Sequence, residues 1–218
     1  MNGRLVLVFV TAMATAAPLF AQLGSRPAED WIARLERPER VAALKTAEVI
    51  DRLQIKPGDV VADLGAGAGA FAWPFAKAVG TGIVYAVEVD KGYLPHLERR
   101  AKEQGLTNVK PLLGKFEDPM LPEKVDLAFF HDVLHHIEKR AEYLKTVAGY
   151  LKPNGRIAVI ELDATRPEAS HRDQPDQQVT REQVDGWMTA AGLTKLNEFP
   201  LSEDKWFVVY GKGNAAAR

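Results

Sequence analysis

Val60-Val61-Ala62-Asp63-Leu64-Gly65-Ala66-Gly67-Ala68-Gly69 runs from an apolar stretch directly into three alternating glycines. Val60 to Leu64 is apolar except for Asp63, the pattern of a parallel strand covered on both faces. Glycines at 65, 67 and 69 let the backbone turn sharply and approach a ligand closely. The apolar stretch from Phe71 to Val79 then reads as a helix, and its free N-terminal N–H groups suit an anionic group. Gly65, Gly67 and Ala70 also satisfy the dinucleotide-binding spacing. The bland alternative is a glycine loop that only permits tight strand–helix packing, and the loop alone does not choose.

Working outward, strands and helices alternate. Ile83 to Val89 reads as a strand, Leu94 to Gln104 as a helix, and Val109 to Leu113 as a third strand. Val125 to Phe130 is a fourth, Lys139 to Leu151 a helix, Lys152 to Gly155 a turn, and Arg156 to Leu162 a fifth strand. Such alternation implies right-handed crossovers and a parallel sheet with helices on both faces. Upstream, Trp31, Ile32 and Leu35 share a helical face. One further helix is expected from Pro38, with Val41, Leu44, Val49, Ile50 and Leu53 as its apolar stripe. Downstream, Asp163 to Gln178 is polar and aperiodic, a long loop. Thr180-Arg181-Glu182-Gln183 is a capping box that opens a helix closed by Gly192. Leu193 to Phe199 and Trp206 to Gly211 lie close enough for a hairpin, which makes one strand antiparallel. Trp187, Met188, Trp206 and Phe207 read as core rather than as a cage for a ligand.

Composition excludes several classes. The 218 residues include no cysteine, so a disulfide scaffold, an iron–sulfur cluster and thiol catalysis are out. A net charge of −1 leaves no electrostatic footprint for nucleic acid. The start has its own character. Arg4 precedes an uncharged run from Leu5 to Phe20, and Ala21 is followed by polar sequence. This is the layout of a signal peptide spanning 1–21, with one domain from 22 to 218 and export to the periplasm or beyond. The run falls short of the roughly 20 residues a spanning helix needs. An uncleaved membrane anchor, or a cytoplasmic protein starting at Met13, are the rival readings.

Four segments in order carry a resemblance. Asp63-Leu64-Gly65-Ala66-Gly67, with an acid two residues before the first glycine, resembles the first motif of class I S-adenosylmethionine-dependent methyltransferases. Val84 to Glu88 is similar to that family's second-strand motif. Phe116 to Ile137 and Leu151 to Glu161 resemble its segments around the fourth and fifth strands, in the small-molecule, quinone-methylase-like group that includes exported members. The resemblance covers about 40 to 211. It implies a doubly wound, Rossmann-like α/β sheet of seven strands, the seventh antiparallel between the fifth and sixth.

The resemblance also implies a cofactor, S-adenosylmethionine, and site residues. Asp63, Gly65, Ala66 and Gly67 would hold its methionine end, Glu88 its ribose hydroxyls, and Val89 would flank the adenine. Phe116 and Glu117 would meet the adenine edge, and His131 would face the methionine amino group, mostly through its backbone. Lys115 departs from the pattern, because an aspartate usually follows Gly114. From the residues alone, Asp90 competes with Glu88 as the acid after the second strand.

The cofactor brings its own leaving group, so the protein mainly positions donor and acceptor. A base is needed only where the acceptor carries a proton. His135 and Asp132 are the candidates, at the carboxyl end of the fourth strand where doubly wound sheets bind ligands. His136 is more readily a packing residue, and Asp132 has an alternative as a helix cap. No metal is expected from this histidine cluster. His171 in the polar loop and the helix holding Trp31 are candidates to cover the cleft. The reading is methyl transfer to a small-molecule acceptor, with a lipid or quinone in view only if the N-terminus stays in a membrane. A nicotinamide-dependent oxidoreductase and a non-catalytic S-adenosylmethionine-binding protein are the alternatives.

Overall fold

The computed structural model describes residues 27–163, 165–166 and 174–213. The expected signal segment and His171 lie outside the described residues. Seven strands form one sheet: β1 (Val60–Leu64), β2 (Ile83–Glu88), β3 (Val109–Leu113), β4 (Val125–His131), β5 (Leu151–Leu162), β6 (Thr194–Ser202) and β7 (Lys205–Gly211). Their order is β3-β2-β1-β4-β5-β7-β6. β1 pairs in parallel with β2 and β4, and β7 is antiparallel to both β5 and β6. The α/β sheet with an antiparallel C-terminal hairpin is therefore present, with β7 between β5 and β6.

β1 is an interior strand, between β2 and β4, and is buried along its length. Val60, Ala62 and Leu64 face one apolar layer, and Val61 faces the other. The first layer is closed by α6 (Arg140–Gly149) and α7 (Arg181–Ala190), through Tyr143, Leu144, Val147, Val184 and Met188. The second is closed by α3 (Thr46–Leu53), α4 (Ala72–Val79) and α5 (Leu94–Glu103), through Val49, Leu53, Phe75, Val79 and Leu97. Met188 and Phe207 are fully buried and Trp206 nearly so, as core residues. The capping box at Thr180 is made in full, with Gln183 N donating to Thr180 Oγ1 and Thr180 N to Gln183 Oε1.

Two expectations fail locally. The helix expected from Pro38 to Leu53 is broken into α2 (Pro38–Ala43) and α3, since Lys45 takes a left-handed φ of 50°. Tertiary contact accounts for the break: Lys45 Nζ donates to Leu201 O in β6, while Leu44 and Val49 enter the core on either side of it. The turn expected at Lys152 to Gly155 is instead an irregularity inside β5, where the register against β4 shifts between Val125 and Leu127. Lys152 Nζ donates to Asp126 Oδ2 at 2.6 Å and pins the bulge.

The order of strands places the site. The chain leaves β1 for β2 and β3 on one side, then returns to β4 on the other. A crevice opens outside the carboxyl ends of adjacent strands whose connections diverge, here β1 and β4. α1 (Ala28–Leu35) packs over it from the N-terminal side.

Candidate active site

The crevice is a cavity of about 640 Å³. Asp63, Gly65, Ala66, Gly67, Glu88, Val89, Phe116, Glu117, His131, Asp132 and His135 all line it. Tertiary folding thus brings these eleven residues together from four separate strand ends, while His171 lies outside the described residues. Trp31 also lines it, from α1. Among the described residues, no three His, Asp or Glu side chains converge as a metal-ligand set.

The glycine loop is built by close approach. Gly65 has φ +73°, and a Cβ there would lie 2.5 Å from Val133 Cγ2 in the loop after β4. Any side chain at 65 would therefore push the two loops apart. Gly65 N and Ala66 N donate to Val87 O, which seats the loop on β2. Gly67 N donates to Glu88 Oε1 at 2.6 Å, so the acid at the end of β2 also braces the loop.

Two acids sit where water is scarce. Asp63 is 3% exposed, and its Oδ2 has no hydrogen-bond partner among the described residues. Burial, with Glu88 nearby, pushes its carboxyl up to about 8. Burial also raises Glu88 to about 7, against the lowering effect of the N–H groups of Gly67 and Val89. Asp90, the competing acid, lines the cavity too, but its Oδ1 accepts from Gly92 N at 2.8 Å and caps the 3-10 turn Lys91–Tyr93.

Lys115 begins a tight turn. Lys115 N donates to Asp118 O at 2.8 Å, and Asp118 N returns a bond to Lys115 O. Phe116 projects at the cavity rim, 49% exposed. The acid that follows in sequence, Asp118, does not take the missing aspartate's place. Its Oδ1 accepts from Tyr150 OH and from Met120 N.

The loop after β4 carries the charged cluster. The buried His131 ring lies against Phe71, centroids 4.9 Å apart. Burial drives His131 down to about 4, so it is neutral near pH 7. Lys205 Nζ approaches His131 Nε2 at 3.4 Å and donates to Asp132 Oδ2. An ammonium only donates, so Nε2 accepts and Nδ1 carries the ring proton, 3.5 Å from Asp132 Oδ2. Burial pushes Asp132 up, but His131 and Lys205 outweigh it and hold its carboxyl below the ordinary value. Asp132 itself has a left-handed φ of 54°. It does not cap the following 3-10 turn Leu134–His136, whose N-cap is Val133.

His135 is buried, and its Nδ1 lies 2.7 Å from Glu161 Oε1. A carboxylate accepts, which places a proton on Nδ1 and turns Nε2 away from Glu161. His136 lies alongside, ring centroids 4.0 Å apart, and lines the cavity as well. Arg140 fixes this turn by donating to Leu134 O and His135 O.

Sequence reasoning missed two of these partners. Glu161 left a signal, a lone acid ending the apolar run Ile157 to Ile160. Lys205 left none, since only the antiparallel return of β7 beside β5, pairing Lys205 with Leu162, carries it to Asp132.

Comparison with known proteins adds the decisive observation. A family model described as a methyltransferase domain matches residues 55–203. The chain belongs to this methyltransferase domain family. The (S)-coclaurine N-methyltransferase of Papaver somniferum is 35% identical over 114 residues, 50% of this chain and 31% of that protein. The chain thus spans about a third of the length of that curated relative. A S-adenosylmethionine-dependent methyltransferase from Aquifex aeolicus superposes with a TM-score of 0.74 at 22% identity, covering 85% of this chain and 97% of the other. An O-methyltransferase of neocarzinostatin biosynthesis, solved with S-adenosylhomocysteine and a dihydroxynaphthoic acid, gives 0.70 at 20% identity, covering 88% and 60%. Both structures share the methyltransferase fold with this chain.

Proposed function

We propose that this domain transfers a methyl group from S-adenosylmethionine to a small-molecule acceptor. The observation that carries the reading is the buried acid pair at the glycine loop. Among the described residues Asp63 Oδ2 has no donor, and both Asp63 and Glu88 are held well above the ordinary carboxyl range. Buried acceptors of this kind suit a ligand that brings an ammonium and hydroxyl groups. Bound in the cavity, S-adenosylmethionine supplies an activated methyl group on a sulfonium that is its own leaving group.

The chain's residues do the rest. Asp63, Gly65, Ala66, Gly67 and the backbone of His131 hold the amino-acid end. Glu88 accepts from the ribose hydroxyls. Val89, Phe116 and Glu117 bound the adenine, with the exposed Phe116 ring suited to stacking on it. His135 takes a proton from the acceptor at Nε2, its Nδ1–H held by Glu161. Asp132 orients the acceptor, kept ionised by Lys205. The relatives' names support a small-molecule acceptor, and nothing in the charge balance favours nucleic acid.

Calorimetric titration of the protein from Gln22 onward tests this. S-adenosylhomocysteine is expected to bind at micromolar concentration and NAD not to bind. Asp63→Ala and Glu88→Ala are each expected to weaken S-adenosylhomocysteine by more than roughly tenfold. Unchanged binding in both variants would sink the site. The nicotinamide reading needs the reverse ligand preference.

Residues 1–21 are proposed to direct export, on the basic start and short apolar run described above. N-terminal sequencing of secreted protein tests it, with Gln22 expected as the first residue. Among the described residues, no helix is long and apolar enough to cross a membrane.

A further inference from the structure

Two arginines reach the cavity from the N-terminal helices, and neither makes an ion pair with a carboxylate among the described residues. Arg40 of α2 is half-buried and lines the cavity. Among the described residues its one side-chain hydrogen bond is a long contact, Nη1 to Leu35 O at 3.5 Å. Arg34 of α1 lies with its guanidinium 5.5 Å from the centroid of the Trp31 ring, and it also lines the cavity. The two cations are close enough to repel. Asp132 attracts Arg40 from across the cavity. However, among the described residues its Oδ2 is taken by Lys205 and its Oδ1 has no hydrogen bond, so it does not satisfy the guanidinium.

The placement is anchored. A Cβ on Gly67 would lie 3.0 Å from Leu35 Cδ1, so α1 is seated directly on the glycine loop. Partly desolvating one cation beside another costs free energy that an anion would offset. A planar guanidinium with unsatisfied N–H groups matches a carboxylate, two bonds at a time.

We propose that Arg40, seconded by Arg34, forms a carboxylate-binding subsite at the N-terminal wall of the cavity. The carboxylate has two possible sources, the amino-acid end of the cofactor or an acid on the methyl acceptor. The proposal relies on the methyltransferase reading only for the first source.

Calorimetry on the wild type, Arg40→Gln and Arg40→Lys separates them. The probes are S-adenosylhomocysteine, 5′-methylthioadenosine, which lacks the amino-acid end, and benzoate added alone or to the S-adenosylhomocysteine-loaded protein. Arg40→Gln is expected to weaken S-adenosylhomocysteine or benzoate by roughly tenfold or more, and Arg40→Lys the same ligand several-fold. Loss confined to S-adenosylhomocysteine, with 5′-methylthioadenosine binding unchanged, assigns the cofactor's carboxylate and shows that the variant is folded. Loss confined to benzoate assigns the acceptor. Wild type that binds benzoate through Arg40 but not S-adenosylhomocysteine keeps the subsite and overturns the cofactor reading. Wild-type affinity for both acids in Arg40→Gln, or no binding of either acid to the wild type, overturns the subsite. If Arg40→Gln does not fold, Arg40→Lys decides on the same outcomes.

Discussion

Nδ1 of His135 lies 2.7 Å from Oε1 of Glu161, and the two side chains are 6% and 2% exposed. The pair joins the turn after β4 to the last residues of β5, 26 positions apart in the chain. Removing the acid leaves a buried N–H without its acceptor, a loss of about 1–3 kcal/mol. Glu161→Ala is therefore expected to lower Tm by several degrees. Nitrogen-15 spectra of labelled histidine should show the Nδ1–H tautomer of His135 in the wild type and lose it in Glu161→Ala. Glu161→Gln can still accept through its amide oxygen, so it should keep the tautomer. If Glu161→Ala keeps it too, Glu161 does not orient the ring.

The buried acids make ligand-free stability depend on pH. Asp63 and Glu88 have folded values of about 8 and about 7, above their ordinary 3.8 and 4.5. Between those limits the native protein keeps protons that the unfolded chain releases. Their stabilising contribution is full below the ordinary values and is lost as pH rises through about 7 and about 8. The unfolding free energy from urea titration should fall from pH 5.5 to pH 8.5 by an amount on the order of a few kcal/mol. Asp63→Asn and Glu88→Gln should flatten the fall. An equal fall in the double variant would place its origin elsewhere.

The same two groups predict proton release on cofactor binding. A ligand donating to both carboxyls favours their ionised forms. Near pH 7, titration in buffers of different ionisation enthalpy should show protons leaving the protein as S-adenosylhomocysteine binds. Affinity should rise with pH up to about 8, the value for Asp63. A heat independent of buffer would mean that neither acid contacts the ligand.

Lys205 is the countercharge of Asp132, and both side chains are largely buried, at 16% and 21% exposed. Lys205→Ala leaves a desolvated carboxylate without its ammonium partner, with an expected cost of about 2–4 kcal/mol. Asp132→Asn should lessen that penalty, giving a coupling of about 1–3 kcal/mol in a double-mutant cycle of urea unfolding. Strict additivity would show that the contact contributes nothing.

Gly65→Ala tests the closeness of the two loops. The added Cβ meets Val133 Cγ2 at 2.5 Å and sits at φ +73°. The two strains together should cost about 2–4 kcal/mol. Val133→Ala in the same chain should restore the steric share only, since the backbone strain at 65 persists. S-adenosylhomocysteine affinity is the second readout, expected to fall in the single variant and partly recover in the double.

Much of the architecture was legible because it is written in local patterns. The apolar run at Val60, the alternation of strands and helices, and the Thr180 capping box each act over a few residues. What failed was also physical. The break at Lys45 answers to Leu201, more than 150 residues away, and the bulge in β5 answers to Asp126 on a neighbouring strand. Asp132, read as a catalytic candidate, had a cap as its alternative because its type suits one. Its carboxylate is instead taken by a lysine arriving from β7.

The sequence by itself determined the alternation of strands and helices, the terminal hairpin and the glycine loop that ends the first strand. Strand burial and glycine spacing are properties of short segments, and a parallel βαβ chain has few ways to wind. Only the tertiary structure decided what each charge does. Whether an acid is ionised, or a histidine holds its proton on Nδ1, depends on groups within a few ångströms. Those neighbours, Glu161 for His135 and Lys205 for Asp132, are supplied by strands distant in the chain.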